Sequence, residues 1–194
     1  MADGAGKGMG ASLIMASAKA SLPLIAAGRT TEATLRVLSD KLTSELGPRE
    51  FVALAYARYD PIAGTLELSN AGLPDPYLLR EGSVPLSLSV PGPRLPLGLR
   101  RGVASESLRV TLSPGDRVLF LTDGLPEAST SPGEPLGYEA LGLLLPADGH
   151  APGQSLDELL ERVRRATSET LEDDWTVLLL EHKGSSELPR LVNA

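Results

Sequence analysis

Leu112-Ser113-Pro114-Gly115-Asp116-Arg117-Val118-Leu119-Phe120-Leu121-Thr122-Asp123-Gly124-Leu125-Pro126-Glu127-Ala128 is the stretch on which the reading of this chain turns. A Pro-Gly-Asp turn leads into a strand-like apolar run, 118–122, and that run ends on a bare carboxylate followed by glycine. Two further acidic positions have the same character. Asp3 precedes Gly4 and opens a glycine-rich turn, and Asp173-Asp174 stands immediately before the apolar run 175–180. Carboxylates gathered in one place repel and favour protonation unless a cation offsets their charge. The pattern therefore points to a divalent-metal site, with each neighbouring glycine leaving room for a main-chain carbonyl or a water.

Composition narrows the choice of metal. The 194 residues suffice for one domain with a substantial core. Cysteine is absent, which removes thiolate ligands, disulfides and a cysteine nucleophile and suits a cytoplasmic setting. With only His150 and His182, zinc is poorly supplied, whereas hard oxygen donors for magnesium, manganese or calcium are plentiful. The net charge of −7 and pI near 4.9 argue against nucleic acid as a partner. No apolar stretch reaches the roughly 18–20 residues that span a bilayer, and the start is not a signal peptide.

Along the chain, the 4–10 turn is followed by a helix that is apolar around most of its girth and is expected to be buried. A second helix after Thr30-Thr31 carries Leu35, Leu38, Leu42 and Leu46 on one stripe, with Gly47-Pro48 as its stop. Residues 51–59 and 65–69 read as a hairpin around 60–64, 77–79 as a short strand, and 82–102 as an irregular loop. Residues 108–112 and 117–122 read as a second hairpin. After a proline- and glycine-rich excursion with a helical turn near 138–143, Ser155 and Glu158 form a capping-box signal for an amphipathic helix ending near Leu171. Residues 175–180 read as a fully buried strand and 183–194 as a flexible tail. The order of elements gives an α+β domain with antiparallel links, layered α/β/β/α.

Oxygen ligands at about 2.0–2.1 Å would suit magnesium or manganese. Water held by such a metal, or between two about 3.5–4 Å apart, becomes acidic enough to attack a phosphoryl group in line. Taken singly each cluster has a bland explanation: Asp-Gly is a common turn dipeptide, Asp116 after Pro114-Gly115 is a turn residue, and Asp173-Asp174 could cap a strand in solvent.

Read together, these segments resemble the metal-dependent protein phosphatases of type 2C (PPM), in the bacterial branch of the stage II sporulation protein E and sigma-B regulator phosphatases. Residues 3–16 look like that branch's Asp-Val-Ser-Gly-Lys-Gly turn and following Ala-rich helix. Ser69-Asn70-Ala71-Gly72 is similar to its Asn-Ala-Gly-His motif, with Leu73 in place of the histidine. Pro96-Leu97-Gly98, the Pro-Gly-Asp and Thr-Asp-Gly-x-x-Glu-Ala signatures of 114–128, and Asp173-Asp174-Trp175-Thr176 complete the match. The resemblance covers 1–182, the expected phosphatase-like domain, and implies a four-layer α/β/β/α sandwich of antiparallel sheets flanked by helices.

It also implies a site and a reaction. Asp3 would bridge two metals, Mn2+ or Mg2+, with Gly4 as a carbonyl ligand, Asp123 and Asp173 as ligands to one metal, and Asp174 in support. Metal-activated water, rather than a side chain, would hydrolyse phosphoserine or phosphothreonine on a regulatory protein, in this branch an anti-sigma-factor antagonist. The family has about two more strands ahead of the Asp3 motif, with another metal-binding aspartate, whereas this chain starts two residues before Asp3. The expectation is an N-terminally truncated sandwich with weakened metal binding and an open sheet edge through which copies associate.

Two rivals compete with this reading. Residues 6–11 fit a variant glycine fingerprint for a dinucleotide, but the strand that should precede it has no room, and Lys7 followed by Gly8 breaks the Walker pattern. A catalytically impaired pseudophosphatase or phosphoprotein-binding module would keep the fold and lose the chemistry, in keeping with Leu73. Among other conspicuous residues, Trp175 reads as core, His182 as a solvent-facing strand end, Arg162, Arg164 and Arg165 as a wet helix face, and Lys7 as an exposed turn.

Overall fold

The structure, a computed structural model, describes residues 1–4, 9–47, 50–103, 105–146, 152–168 and 174–184. In chain order the elements are β1 (Ala2–Gly4), α1 (Met9–Ala26), α2 (Thr31–Thr43), β2 (Val52–Asp60), β3 (Thr65–Ala71), β4 (Tyr77–Leu79) and β5 (Leu86–Ser87). There follow β6 (Leu108–Thr111), β7 (Arg117–Leu121), β8 (Ser129–Ser131), β9 (Glu134–Pro135), α3 (Gly137–Leu144), α4 (Pro152–Ala166) and β10 (Val177–Glu181). One four-stranded sheet has the order β1-β2-β3-β6 and a second the order β10-β7-β4-β5, with β8 and β9 forming a small ribbon. This is the expected α+β class.

The chain divides into two compact units, each with its own core. The first comprises Met1–Arg58, Glu67–Asp75 and Ser89–Arg109. Its α2 starts at an N-cap, where Thr30 Oγ1 accepts a hydrogen bond from the Ala33 N–H. Leu35, Leu38 and Leu42, spaced three and four apart, are fully buried beside Val52, Leu54, Ala71 and Leu97. Each such leucine contributes about 1.5–3 kcal/mol of burial. β1 pairs antiparallel with β2, setting Asp3 opposite Ala53 and Gly4 opposite Val52.

The second unit comprises Tyr59–Leu66, Pro76–Leu88 and Val110–Ala194. β7, with Val118 to Leu121 all buried, lies between β10 and β4. Leu119 and Leu121 pack with Tyr77 and Leu79 of β4, Leu141 of α3, and Leu159 and Val163 of α4. Arg117 joins three elements, donating to Glu181 Oε2 of β10 (3.1 Å) and to Ser155 Oγ of α4 (2.9 Å).

Several expectations from sequence need correction. β6 and β7 are not a hairpin: the alternating β6 takes an edge of the first sheet, while the continuously apolar β7 takes an interior place in the second, where both faces and both edges are covered. α1 is not buried all round, since Leu13 and Leu24 are 65% and 79% exposed. α2 stops at Thr43, so Leu46 packs against the core from beyond the helix. α4 begins at Pro152, ahead of the expected cap, which puts Ser155 inside the helix as a buried acceptor for Arg117. Among the described residues β10 is an edge strand flanked by β7 alone, and Leu178 is half exposed. β5 lies inside the region read as loop. Of the expected flexible tail, 183–194, only Lys183 and Gly184 fall within the described residues.

His182 is likewise not solvent-facing. It is buried, its Nδ1 lies 2.6 Å from Tyr59 Oη, and its N–H donates to the Asp116 carbonyl (2.9 Å). Burial, followed by the charge of Asp60, pushes the Tyr59 phenol up. Asp116 is a turn residue as read, but it is also buried. Its carboxylate accepts from Arg80 Nε (2.9 Å) and Nη2 (2.6 Å) and from the Ser113 N–H (2.8 Å).

Candidate metal centre

The antiparallel register of β7 and β10 builds half of the candidate centre. Val177 faces Leu121 in this pairing, and the ladder extends one step beyond the strands. The Thr122 N–H donates to the Thr176 carbonyl (3.1 Å), and the Thr176 N–H donates to Thr122 Oγ1 (3.2 Å). Thr122 Oγ1 in turn lies 3.4 Å from the Asp174 carbonyl oxygen. A threonine immediately ahead of Asp123 thereby ties the end of β7 to the segment entering β10.

Gly124 lets the two chain segments close. A Cβ built there would lie 2.5 Å from the Asp174 carbonyl oxygen and 3.3 Å from Trp175 Cδ1, closer than side chains tolerate. The turn continues with the Glu127 N–H donating to the Asp123 carbonyl (2.9 Å), and the half-exposed Asp123 carboxylate stands at the strand end. Asp174 is exposed. Asp173 lies outside the described residues, as does Lys7.

Asp3 and Gly4 belong to the first unit. Both are half-buried on β1, which packs against α1. A Cβ at Gly4 would meet Met15 Cγ and Sδ at 3.1 Å, so glycine suits this contact as well as a bare carbonyl. Among the described residues no three Asp, Glu or His side chains gather at one point. The donor set expected from the sequence, carboxylate oxygens of Asp3, Asp123 and Asp173 with the Gly4 carbonyl, is all hard oxygen and fits Mg2+ or Mn2+ in kind.

Sequence reasoning singled out the carboxylates and missed how they are supported. Thr122 serves as a clamp, with its hydroxyl accepting from the Thr176 N–H and lying beside the Asp174 carbonyl, both in the segment that enters β10. The only signal for this was a hydroxyl residue at the end of an otherwise apolar run. Leu73, in the position where a histidine was expected, is buried. Its N–H donates to Asn70 Oδ1 (3.0 Å) and its carbonyl accepts from Asn70 Nδ2 (2.9 Å), so here Asn70 braces a turn.

This fold of antiparallel sheets and four helices among the described residues is that of the PP2C phosphatases. The model of the family "Stage II sporulation protein E (SpoIIE)" matches residues 1–183, and the chain belongs to that SpoIIE-type branch of the PPM phosphatases. Similar solved structures include the RsbU and RsbW domains of Rv1364c from Mycobacterium tuberculosis, at 25% identity and TM-score 0.75 over 94% of this chain. The chain spans 52% of that relative's length. The SiaA-PP2C domain of Pseudomonas aeruginosa matches at 21% identity and TM-score 0.78, over 93% of this chain and 73% of that one. The catalytic domain of the serine threonine protein phosphatase PstP, in complex with two manganese ions, matches at 18% identity and TM-score 0.62, over 92% and 84%. None of the curated proteins matches. No helix among the described residues is long and apolar enough to cross a membrane.

Proposed function

We propose that this chain is a metal-dependent protein serine/threonine phosphatase that hydrolyses phosphoserine or phosphothreonine on a regulatory protein, an anti-sigma-factor antagonist. Family membership over nearly the whole chain supports the reaction class, and the RsbU domain among the similar structures supports the kind of substrate. The observation that carries the reading is the closure of the Thr122-Asp123-Gly124 turn on the Asp174 backbone, which brings two of the acidic segments side by side.

Asp3, the Gly4 carbonyl, Asp123 and Asp173 would hold Mn2+ or Mg2+. When bound, the metal supplies the Lewis acidity that makes water a nucleophile at neutral pH. The chain's own part is to orient those oxygens. Thr122 and Gly124 fix the Asp123 turn against the strand that follows Asp173, and the Asn70 brace holds the 70–74 turn. No side-chain nucleophile is required.

The test is manganese-dependent hydrolysis of p-nitrophenyl phosphate and of a phosphoserine peptide by the purified chain. Calorimetric titration with Mn2+ provides a readout independent of turnover. Asp123→Asn is expected to abolish hydrolysis and weaken manganese binding; full activity in this variant would refute the assignment. The second reading, a phosphoprotein-binding module without turnover, draws on Leu73, a buried apolar residue where the family motif has histidine. Absence of hydrolysis with phosphopeptide binding intact would favour it. Self-association through a sheet edge is part of the proposal, since β1, β6, β5 and β10 are edge strands among the described residues. Sedimentation over a range of concentrations reads it directly.

A further inference from the structure

The chain is acidic overall, yet residues 94–101 carry Arg94, Arg100 and Arg101, all exposed. Arg94 is engaged by Asp75. Among the described residues Arg100 and Arg101 have no anionic partner, and neither has Arg36, which is exposed on α2.

Two anchors hold this segment across α2. The Gly98 N–H donates to Ser39 Oγ (3.4 Å) and the Gly102 N–H donates to Asp40 Oδ1 (3.0 Å), so Arg100 and Arg101 sit between two points fixed to consecutive helix residues. Arg36 is one helical turn before Asp40 on the same exposed face. The anchoring is close: at Gly98, with φ +92°, a Cβ would lie 2.6 Å from Leu46 Cδ1. Leu97, next to it, is buried and exchanges backbone hydrogen bonds with Val52 (3.0 and 2.8 Å). Leu95 and Leu99, each 45% exposed, lie in the same segment. Asp40 lies within the cluster, with one of its oxygens occupied by the Gly102 N–H, and Glu32 stands one helical turn before Arg36.

We infer that Arg36, Arg100 and Arg101, with Leu95 and Leu99, form a docking surface for an acidic segment of a protein partner. Three guanidinium groups, none in an ion pair among the described residues, outnumber the neighbouring carboxylates of Asp40 and Glu32 and give a local field opposite in sign to the net charge of −7. Such a patch captures carboxylate-bearing segments, and arginine binds them with two parallel hydrogen bonds. The leucines favour a peptide with apolar side chains over nucleic acid. A held loop loses little entropy on binding. Docking here goes beyond the phosphatase reading and does not rest on it, because it is measured without turnover.

The test uses a short fluorescein-labelled peptide alternating glutamate and leucine, with a lysine-leucine counterpart, an oligodeoxythymidylate and phosphatidylserine vesicles as competing probes. Fluorescence anisotropy is expected to show the glutamate peptide bound by the full chain, with affinity falling as salt rises. The double variant Arg100→Glu/Arg101→Glu should bind about tenfold or more weakly. Arg164→Glu/Lys183→Glu makes the same change in net charge at exposed cations elsewhere and should leave binding unchanged. Circular dichroism melts check that both variants fold, and Arg36→Ala gives a milder second variant expected to weaken binding about threefold or more. The proposal is overturned by equal loss in both double variants, by no glutamate-peptide binding, or by binding of the oligonucleotide or vesicles in its place.

Discussion

Replacing Gly124 by alanine adds one methyl group at the point where two segments of the candidate centre meet. The added Cβ would stand 2.5 Å from the Asp174 carbonyl oxygen, whereas ordinary contact begins at 3.4 Å, so about 0.9 Å must be found. Both obstructing atoms at Asp174 are backbone, and a rotamer change cannot relieve them. Separation of the turn from the entering strand would stretch the bonds that Thr122 makes to Thr176 and Asp174. Overpacking of this kind costs about 1–3 kcal/mol. The larger effect falls on function: a displacement of about 1 Å between ligating or positioning groups costs about a hundredfold in rate. Manganese-dependent phosphate-ester hydrolysis, manganese titration and thermal melting together separate the outcomes. A modest drop in melting temperature with a loss of manganese affinity and about a hundredfold loss of rate is expected. Unchanged activity and affinity in a folded Gly124→Ala protein would refute the argument that this approach builds the site.

Asp116 is expected to make the fold sensitive to acid. Burial alone would raise its pKa, but hydrogen bonds from Arg80 and the Ser113 N–H, together with the charges of Arg80 and His182, more than offset this and hold the carboxyl below its ordinary value. Its contribution is therefore complete above the unfolded value of about pH 4 and is lost as pH falls through the lowered folded value. Asp116→Asn should cost about 1–3 kcal/mol at neutral pH, discounted for the half-exposed Arg80, and should flatten the pH dependence of the melting temperature below about pH 4. Gly142→Ala works in the other direction. It lies inside α3 with nothing within 4 Å of an added Cβ, so alanine should stabilise by about 0.5–1 kcal/mol and raise the melting temperature by about 1–4 °C.

Local signals carried most of the fold. The 3–4 spacing of Leu35, Leu38 and Leu42, the turn chemistry of 60–64 and the apolar run 118–121 each specify an element by its own periodicity. What they could not carry was partner choice. Residues 108–111 and 117–121 are joined by a tight turn that would serve a hairpin equally well, and only the burial required by β7 sends the two strands to different sheets. Ser155 and Glu158 have the letters of a capping box, but the pull of Arg117 on the Ser155 hydroxyl is a long-range contact that no local pattern encodes. The exposure of Leu13 and Leu24 was hidden because an all-apolar helix carries no stripe to orient it. At the candidate centre, the acidic residues were legible as residue types at run ends, whereas the Thr122 clamp and the Gly124 approach depend on the β7–β10 register.

The bond between Tyr59 and His182 closes a span of 123 residues, and it has consequences for how the chain is made. Every segment of the first unit precedes residue 110, so its buried leucines can come together while the remainder is still being translated. The residues that complete the second unit emerge about 70 positions later, roughly 4–15 seconds at ribosomal speed. Through that interval residues 59–66 lack the histidine that will pair with the phenol. Closing so long a loop is entropically slow. Nascent chains stalled before residue 182 should therefore expose the 59–66 segment to proteases, and release of the full length should protect it.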